Sequence, residues 1–182
     1  RGGPLRLLYW QAPTILNPHL ATGVKDAAAA RLFYEPLAAF DPEGNLVPQL
    51  AAEVPTRDNG GLARDGTWVR WRLKKGVTWH DGRPLTADDC VFTWEYAADP
   101  ATAATSISAY RDLERVEKLD DQTFRVLFKR PVPFWAIPFC GAAGVVLPRH
   151  VSERHRGGAS REAPANLKPL GTGPFRAVDF RP

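Results

Sequence analysis

The sequence contains no methionine and only two cysteines among its 182 residues. Two cysteines cannot build a disulfide scaffold or a four-cysteine zinc site. Because methionine is absent even from position 1, we expect the chain to begin after processing or to be a piece of a longer protein. The first residues resemble neither a signal peptide nor a lipid-anchored cysteine, so any export signal is expected upstream.

Long apolar runs and concentrated charge are also missing. The longest apolar stretch, residues 141–148, is far below the roughly 20 residues of a membrane helix. The 24 basic and 20 acidic residues are interspersed and give a net charge of +4. This balance argues against a nucleic-acid surface, which needs clustered Lys and Arg. A hydrophobic content of 44% excludes general disorder, and 17 prolines exclude a simple helical bundle.

The hydrophobic patterning predicts short strands, hairpins and separated helices, which together indicate an α+β fold. Thr86 and Asp89 have the spacing of a capping box, which predicts the start of a helix. The other predicted helices cover 25–39, 101–110 and a stretch beginning at 148. The predicted strands are 5–10, 46–48, 69–73, 113–119, 122–129, 144–147 and a last one beginning near 172, whereas 56–66 and 154–165 are predicted as loops, the latter mobile.

Three sets of residues could carry chemistry. The pair His80–Asp81 could form a general base in a hydrolase, but Asp81–Gly82 is also an ordinary turn, and no nucleophile motif accompanies the pair. The four histidines lack the spacing of metal ligands. Cys90 lies on the apolar stripe of its predicted helix, which favours a buried thiol over a bridge with Cys140.

The aromatic residues divide into two groups by their place in the predicted elements. Those on strands or a helix face are expected in the core: Trp71, Trp94 and Phe124. Those at element ends and in irregular segments could instead line a ligand cavity: Tyr110, Trp135 and Phe139.

The order of several motifs along the chain resembles the family 5 extracellular solute-binding proteins, the receptors of peptide/nickel-type ABC importers. The most diagnostic run is Trp71-Arg-Leu-Lys-Lys-Gly-Val-Thr-Trp-His-Asp-Gly-Arg-Pro-Leu-Thr-Ala-Asp-Asp89. The other motifs are Leu16-Asn-Pro-His19, Phe33-Tyr-Glu-Pro-Leu37, Val47-Pro-x-Leu-Ala-Ala-Glu53, Val116-Glu-x-x-Asp-Asp-Gln-Thr123, Pro131-Val-Pro-Phe134, Leu147-Pro-Arg-His150 and Gly171-Thr-Gly-Pro-Phe175. The loop 56–66 is longer than is usual in this family.

The resemblance implies a two-lobed fold of the type II periplasmic-binding-protein kind, of which this chain holds part of the first lobe. Residues 1–40 would start that lobe, 41–168 would form an extra subdomain packed on it, and 169–182 would return to its sheet. The second lobe would be absent.

The same resemblance implies capture of a solute and not an enzymatic reaction. Hinged lobes would close over an oligopeptide or similar small solute, and permease subunits in the membrane would accept it. We expect an extracytoplasmic monomer, in the periplasm or lipid-anchored at the outer face of the membrane, that needs no cofactor and binds no nucleic acid. The residues expected at the solute are Thr22, Gly23, Val24 and Tyr110, with Phe139 and Cys140 as weaker candidates.

Overall fold

The computed structural model describes residues 3–180 and contains two small antiparallel sheets surrounded by helices and turns. The strands are β1 Ala38–Phe40, β2 Leu46–Pro48, β3 Trp68–Arg72, β4 Leu113–Asp120 and β5 Thr123–Phe128. The helices are α1 Val24–Ala30, α2 Ala87–Ala98, α3 Ile107–Tyr110 and α4 Arg149–Ser152. Mixed helices and short sheets confirm the α+β prediction.

The larger sheet has the strand order β3-β5-β4 and buries one face. Trp71 pairs with Phe124, and Val69 pairs with Val126. All four side chains are at most 1% exposed. Their alternation with arginines is what predicted one-sided strands, and the structure confirms both the strands and the β4–β5 hairpin.

Helix α2 lies between two apolar clusters and is buried on two sides. Its first turn has the predicted capping box between Thr86 and Asp89. Cys90 contributes to the cluster under the sheet, while Phe92 and Tyr96 contribute to a second cluster. The predicted apolar stripe is confirmed, because Cys90 lies in the first cluster and Trp94 packs against it; the second buried side, with Phe92 and Tyr96, was not predicted.

The N-terminal helix is shorter than the predicted 25–39. It ends at Ala30, after which the carbonyls of Leu32 and Phe33 accept hydrogen bonds from the amides of Phe175 and Gly173. Amides from a distant part of the chain therefore bond the carbonyls that a longer helix would have bonded to its own amides. In addition, Pro36 has no amide hydrogen to donate within a helix.

Both terminal segments were predicted as strands, and neither forms one in the described structure. Leu8 is fully exposed and Trp10 is 73% exposed in the first segment, and Val178 is 85% exposed in the last. Their apolar residues fit a buried strand, but no described strand lies beside them to complete a ladder.

Four further predictions need correction. The stretch 101–110 contains a 3₁₀ turn and only then α3, and residues 144–147 form a single bridge instead of a strand. Pro148 precedes α4 as its N-cap. The loop 154–165 folds into successive 3₁₀ turns that bury Gly157 and Ser160, because these residues pack beside Thr102.

Candidate functional site

The predicted solute-contacting segment lies at the start of α1, where it is accessible. Gly23 is the N-cap of this helix, and Thr22 and Val24 on either side are exposed. Val24 is 74% exposed. Gly23 has an extended backbone with a φ of −118°, so the helix start does not require glycine there.

Asp26 fixes the chain that leads to this segment. Its buried carboxylate accepts hydrogen bonds from the amides of Thr14, at 2.6 Å, and Ile15, at 3.4 Å. Burial raises the pKa of Asp26, but these amides and Lys25 outweigh it and hold the pKa below its usual value. The carboxylate therefore stays ionised and ties residues 14–15 to the helix.

His19 anchors the same segment from below. It is fully buried, its Nδ1 lies 2.7 Å from Ser106 Oγ, and its Nε2 lies 2.7 Å from the carbonyl oxygen of Val145. Burial lowers the pKa of His19 to about 4, against a weaker opposing effect of the Val145 carbonyl. A neutral imidazole donates from Nε2 to this carbonyl and accepts from Ser106.

The turn after His19 is held by Thr105. Its amide donates to the His19 carbonyl at 2.8 Å, and its hydroxyl donates to the Ala21 carbonyl at 2.8 Å. The exposed residues 22–24 therefore follow a backbone that is bonded on one side to residues 104–106 and on the other to Asp26. This arrangement can present backbone groups to a ligand with little rearrangement.

The other three predicted site residues are buried. Tyr110 and Phe139 are 1% and 0% exposed, and their rings meet edge to face with centroids 5.6 Å apart. Cys140 is 4% exposed. The Tyr110 hydroxyl donates to the Ala143 carbonyl at 3.3 Å. The structure therefore groups these residues in the core and not beside Thr22 at the surface, and their contact with a solute stays a prediction.

The buried thiols are unreactive in this environment. Cys90 and Cys140 are both free. Burial raises the pKa of Cys90 well above its ordinary value, and it raises the pKa of Cys140 to about 12. Because the thiolate is the nucleophile and the metal ligand, neither residue is suited to either role. Among residues 3–180, no three His, Cys, Asp or Glu side chains gather as a metal site.

The pair His80–Asp81 does not have the geometry of a catalytic base. Nε2 of His80 lies 2.8 Å from the Gly173 carbonyl oxygen, and Nδ1 receives the amide of Gly171 at 3.3 Å. Asp81 instead contacts His150 at 2.8 Å. Both imidazole nitrogens of His80 are thus occupied by backbone, and Asp81 does not orient that ring.

The cavities at His80 and at Trp135 lie away from residues 22–24. A groove of about 710 Å³ runs between the long loop 55–66 and the segment 131–135, with Trp135 on its wall. Trp135 was predicted as a possible cavity residue, whereas the groove itself was missed because its lining comes from loops without a chemical motif. A second cavity, of about 340 Å³, contains His80, Lys168 and Arg176.

Comparisons of the sequence with known proteins support the motif pattern. The family described as bacterial extracellular solute-binding proteins, family 5, middle, matches residues 45–182. The oligopeptide-binding protein AppA of Bacillus subtilis is 31% identical over an alignment that covers 100% of this chain and 32% of AppA. Di/tripeptide-binding protein 2 of Pseudomonas aeruginosa is 30% identical, with 93% of this chain and 34% of that protein covered.

Solved structures show the same fold. AppA from Bacillus subtilis, in complex with a nonapeptide, matches with a TM-score of 0.83 and 26% identity over 93% of this chain and 32% of its own. NikZ from Campylobacter jejuni, in complex with Ni(L-His), matches with a TM-score of 0.78 and 25% identity over 94% of this chain and 32% of its own.

The neighbouring structures are type II periplasmic binding proteins, and the chain matches part of them. It spans about a third of the length of the curated relatives that it matches. No helix in the described range 3–180 is long and apolar enough to cross a membrane. By its sequence match, which covers more than half of its length, the chain belongs to the family 5 bacterial extracellular solute-binding proteins.

Proposed function

We propose that this chain is part of an extracytoplasmic receptor of an ABC importer, which captures oligopeptides or similar small solutes between two lobes. The observation that carries the proposal is the family match over residues 45–182, together with the likeness to AppA. A peptide is favoured over other solutes because the relatives reported above include an oligopeptide-binding and a di/tripeptide-binding protein. Binding and release to permease subunits, without a chemical step, would be its activity.

The division of the chain follows the family pattern. Residues 1–40 start the first lobe, 41–168 form the subdomain, and 169–182 return to the first lobe. Both terminal segments border one groove of about 330 Å³, which Leu7, Phe33 and Phe175 help to line. Two apolar segments facing one groove are suited to pack against further strands of a first-lobe sheet.

The solute-contacting surface in this chain is Thr22, Gly23 and Val24. Exposure at the start of α1 and anchoring by His19 and Asp26 support this proposal. Extended peptides are recognised largely through their backbone, and residues 22–24 are accessible on a fixed turn. The buried residues predicted at the solute are Tyr110, Phe139 and Cys140. They would contact the solute after a rearrangement of the core, or they would support residues 22–24 from the core.

We place the receptor outside the cytoplasm, in the periplasm or lipid-anchored at the outer face of the membrane, as a monomer. The family match supports this location, because the family is described as extracellular. A monomer suffices for the proposed activity, since the two lobes of one chain would enclose the solute.

The direct test is to express the complete reading frame and measure its mass under native and then denaturing conditions. Release of a series of short peptides would support a peptide receptor, while release of one metal complex or sugar would replace the peptide with that solute. If the protein retains nothing and binds no peptide of two to nine residues in calorimetry, the proposed peptide function is wrong.

The 182-residue chain alone should show no measurable peptide affinity. A binding pocket normally buries about 70–90% of its ligand, and one wall provides only part of that contact. Isothermal titration with the same peptides tests this expectation, and low-micromolar binding by the chain alone would overturn it.

A further inference from the structure

His80 is bound through three atoms to one short segment of backbone. Its amide donates to the Gly171 carbonyl at 2.9 Å. Its Nδ1 accepts the Gly171 amide at 3.3 Å, and its Nε2 lies 2.8 Å from the Gly173 carbonyl oxygen. Residues 80 and 171–173 are about ninety positions apart, so this contact joins two distant parts of the chain.

The backbone partners determine which ring nitrogen carries the proton. An amide N–H can only donate, so Nδ1 facing Gly171 must present its lone pair. A carbonyl can only accept, so Nε2 facing Gly173 must carry the hydrogen. The neutral Nε2–H form satisfies both contacts. A doubly protonated ring would place the Nδ1–H against the Gly171 N–H and lose that hydrogen bond.

The segment that His80 holds is bound on its other side to the chain after α1. The Gly173 amide donates to the Phe33 carbonyl at 2.8 Å, and the Phe175 amide donates to the Leu32 carbonyl at 3.2 Å. A Cβ atom at position 171 would lie only 1.8 Å from the Phe33 oxygen. The approach at Gly171 leaves no space for a side chain, so the two backbone segments pack directly against each other.

These contacts form a continuous series from the subdomain to the predicted site. His80 holds residues 171–173, and residues 173–175 hold Leu32 and Phe33. These two residues follow α1, and α1 begins at the exposed residues 22–24.

We propose that His80 is a positioning residue whose imidazole holds residues 171–175 against Leu32 and Phe33 and thereby sets the position of α1 and of residues 22–24. The part of the proposal that concerns solute affinity rests on the proposed receptor function. The charged groups that border the His80 cavity are Asp81, Lys168 and Arg176, and His150 faces the carboxylate of Asp81. Asp81 and Gly82 could form the turn without His80. A positioning role explains why both nitrogens of the His80 ring nevertheless make hydrogen bonds to the backbone.

The test compares amide hydrogen exchange in the full-length protein and in its His80→Ala and His80→Gln variants. Removing the imidazole should reduce the protection of the Gly171 amide directly and that of the Gly173 and Phe175 amides by propagation, each at least tenfold. Glutamine supplies an N–H donor for the Gly173 carbonyl and does not titrate, so it should restore most of the protection at Gly173 and Phe175. The Gly141 amide, which donates to Ala38, is the internal control and should not change.

A second variant separates the His80 contact from the other contacts around the same cavity. The matched control is His150→Gln, which removes the nearby contact to Asp81 and leaves residues 171–173 untouched. It should behave like the wild type.

Solute affinity provides the last measurement. His80→Ala should weaken peptide affinity at least fivefold at pH 7.5, and His80→Gln should recover most of this loss. Unchanged protection in His80→Ala, or protection in His80→Gln as low as in His80→Ala, would overturn the proposal. Reduced protection with unchanged affinity would overturn the positioning role at the site. If the wild type binds no peptide, the receptor function fails, while the exchange results still decide whether His80 holds the segment.

Discussion

The sheet region and the two terminal segments have similar apolar residues and opposite environments. In the sheet region, Trp71 and Phe124 are fully buried. In the terminal segments, Leu8, Trp10 and Val178 are 100%, 73% and 85% exposed, although both segments were predicted as strands. The difference lies in the partners, because each sheet strand pairs with another strand within residues 68–128, and α2 packs against β4 and β5.

This comparison shows that apolar patterning predicts the tendency to be buried, whereas burial itself requires a second surface. The terminal segments carry the pattern without the surface. Under the proposed division into lobes, further strands of the first lobe would provide that surface.

The largest effect should come from truncating the sheet core. Trp71→Ala should lower the free energy of unfolding by about 3–5 kcal/mol, because it leaves a large cavity in a packed interior. Among residues 3–180, the indole nitrogen of Trp71 has no hydrogen-bond partner, so the loss is one of packing. Urea unfolding followed by circular dichroism measures it. Trp71→Phe should cost clearly less, and a loss below about 1 kcal/mol for the alanine variant would contradict the assigned burial.

Acidification should weaken the contacts that join His19 to Ser106 and Val145. Since the pKa of His19 is about 4 in the folded protein and 6.5 in a model peptide, the unfolded chain binds a proton first as the pH falls. The contribution of His19 to the free energy of unfolding is therefore complete above about pH 6.5. It declines toward pH 4, by on the order of 3 kcal/mol in total.

The measurement is urea unfolding at pH 7 and pH 4.5, with His19→Gln as the control. This variant should be less stable at pH 7 and should decline less on acidification. Asp89 acts in the opposite direction, because burial raises its pKa and its protonation then favours the folded state as the pH falls. An equal decline in the wild type and His19→Gln would remove His19 as the cause.

A smaller effect should follow from removing the cap of α2. Thr86→Ala should cost about 1 kcal/mol, because the capping box satisfies amides at the start of the helix. Thr86→Ser keeps the hydroxyl and should recover most of the loss. Thermal unfolding of the three proteins side by side measures the difference, and equal stability of the alanine and serine variants would contradict a capping role.

The smallest effect should appear in the terminal segment. Trp10→Ala should change the stability of this chain by no more than about 0.5 kcal/mol, because the side chain is largely in solvent. The same substitution in the complete protein should lower the free energy of unfolding by a larger amount if further strands cover the segment. An equal and negligible effect in both proteins would contradict the proposed packing of residues 1–40 in a first-lobe sheet.

The sequence predicted the elements whose formation depends on residues close together in the chain. The β4–β5 hairpin and the capping box at Thr86 and Asp89 follow from alternation, turns and hydroxyl–carboxylate spacing, and the structure confirms both. The early end of α1 was not predictable, because its cause is hydrogen bonding by Gly173 and Phe175, which lie far away in sequence.

The candidate site was predictable in part. Residues 22–24 are accessible, as a solute-contacting segment must be, but Tyr110 and Phe139 are buried. Aromatic residues at element ends resemble one another in sequence whether they line a cavity or fill a core. Deciding between these outcomes needs the edge-to-face packing of Phe139 on Tyr110, which only the folded chain shows.

The anchoring of His19 has a consequence for the order in which the protein can fold as it is synthesised. Its ring contacts Val145, 126 positions later, and Asn17 contacts Asn166, 149 positions later. When residues 1–40 have left the ribosome, none of these partners exists yet. The sheet, by contrast, pairs residues within 68–128 and can form once they have emerged. Translation therefore delivers the segment with the proposed site before the sheet, although the contacts that fix the shape of this segment become available only after the sheet has emerged.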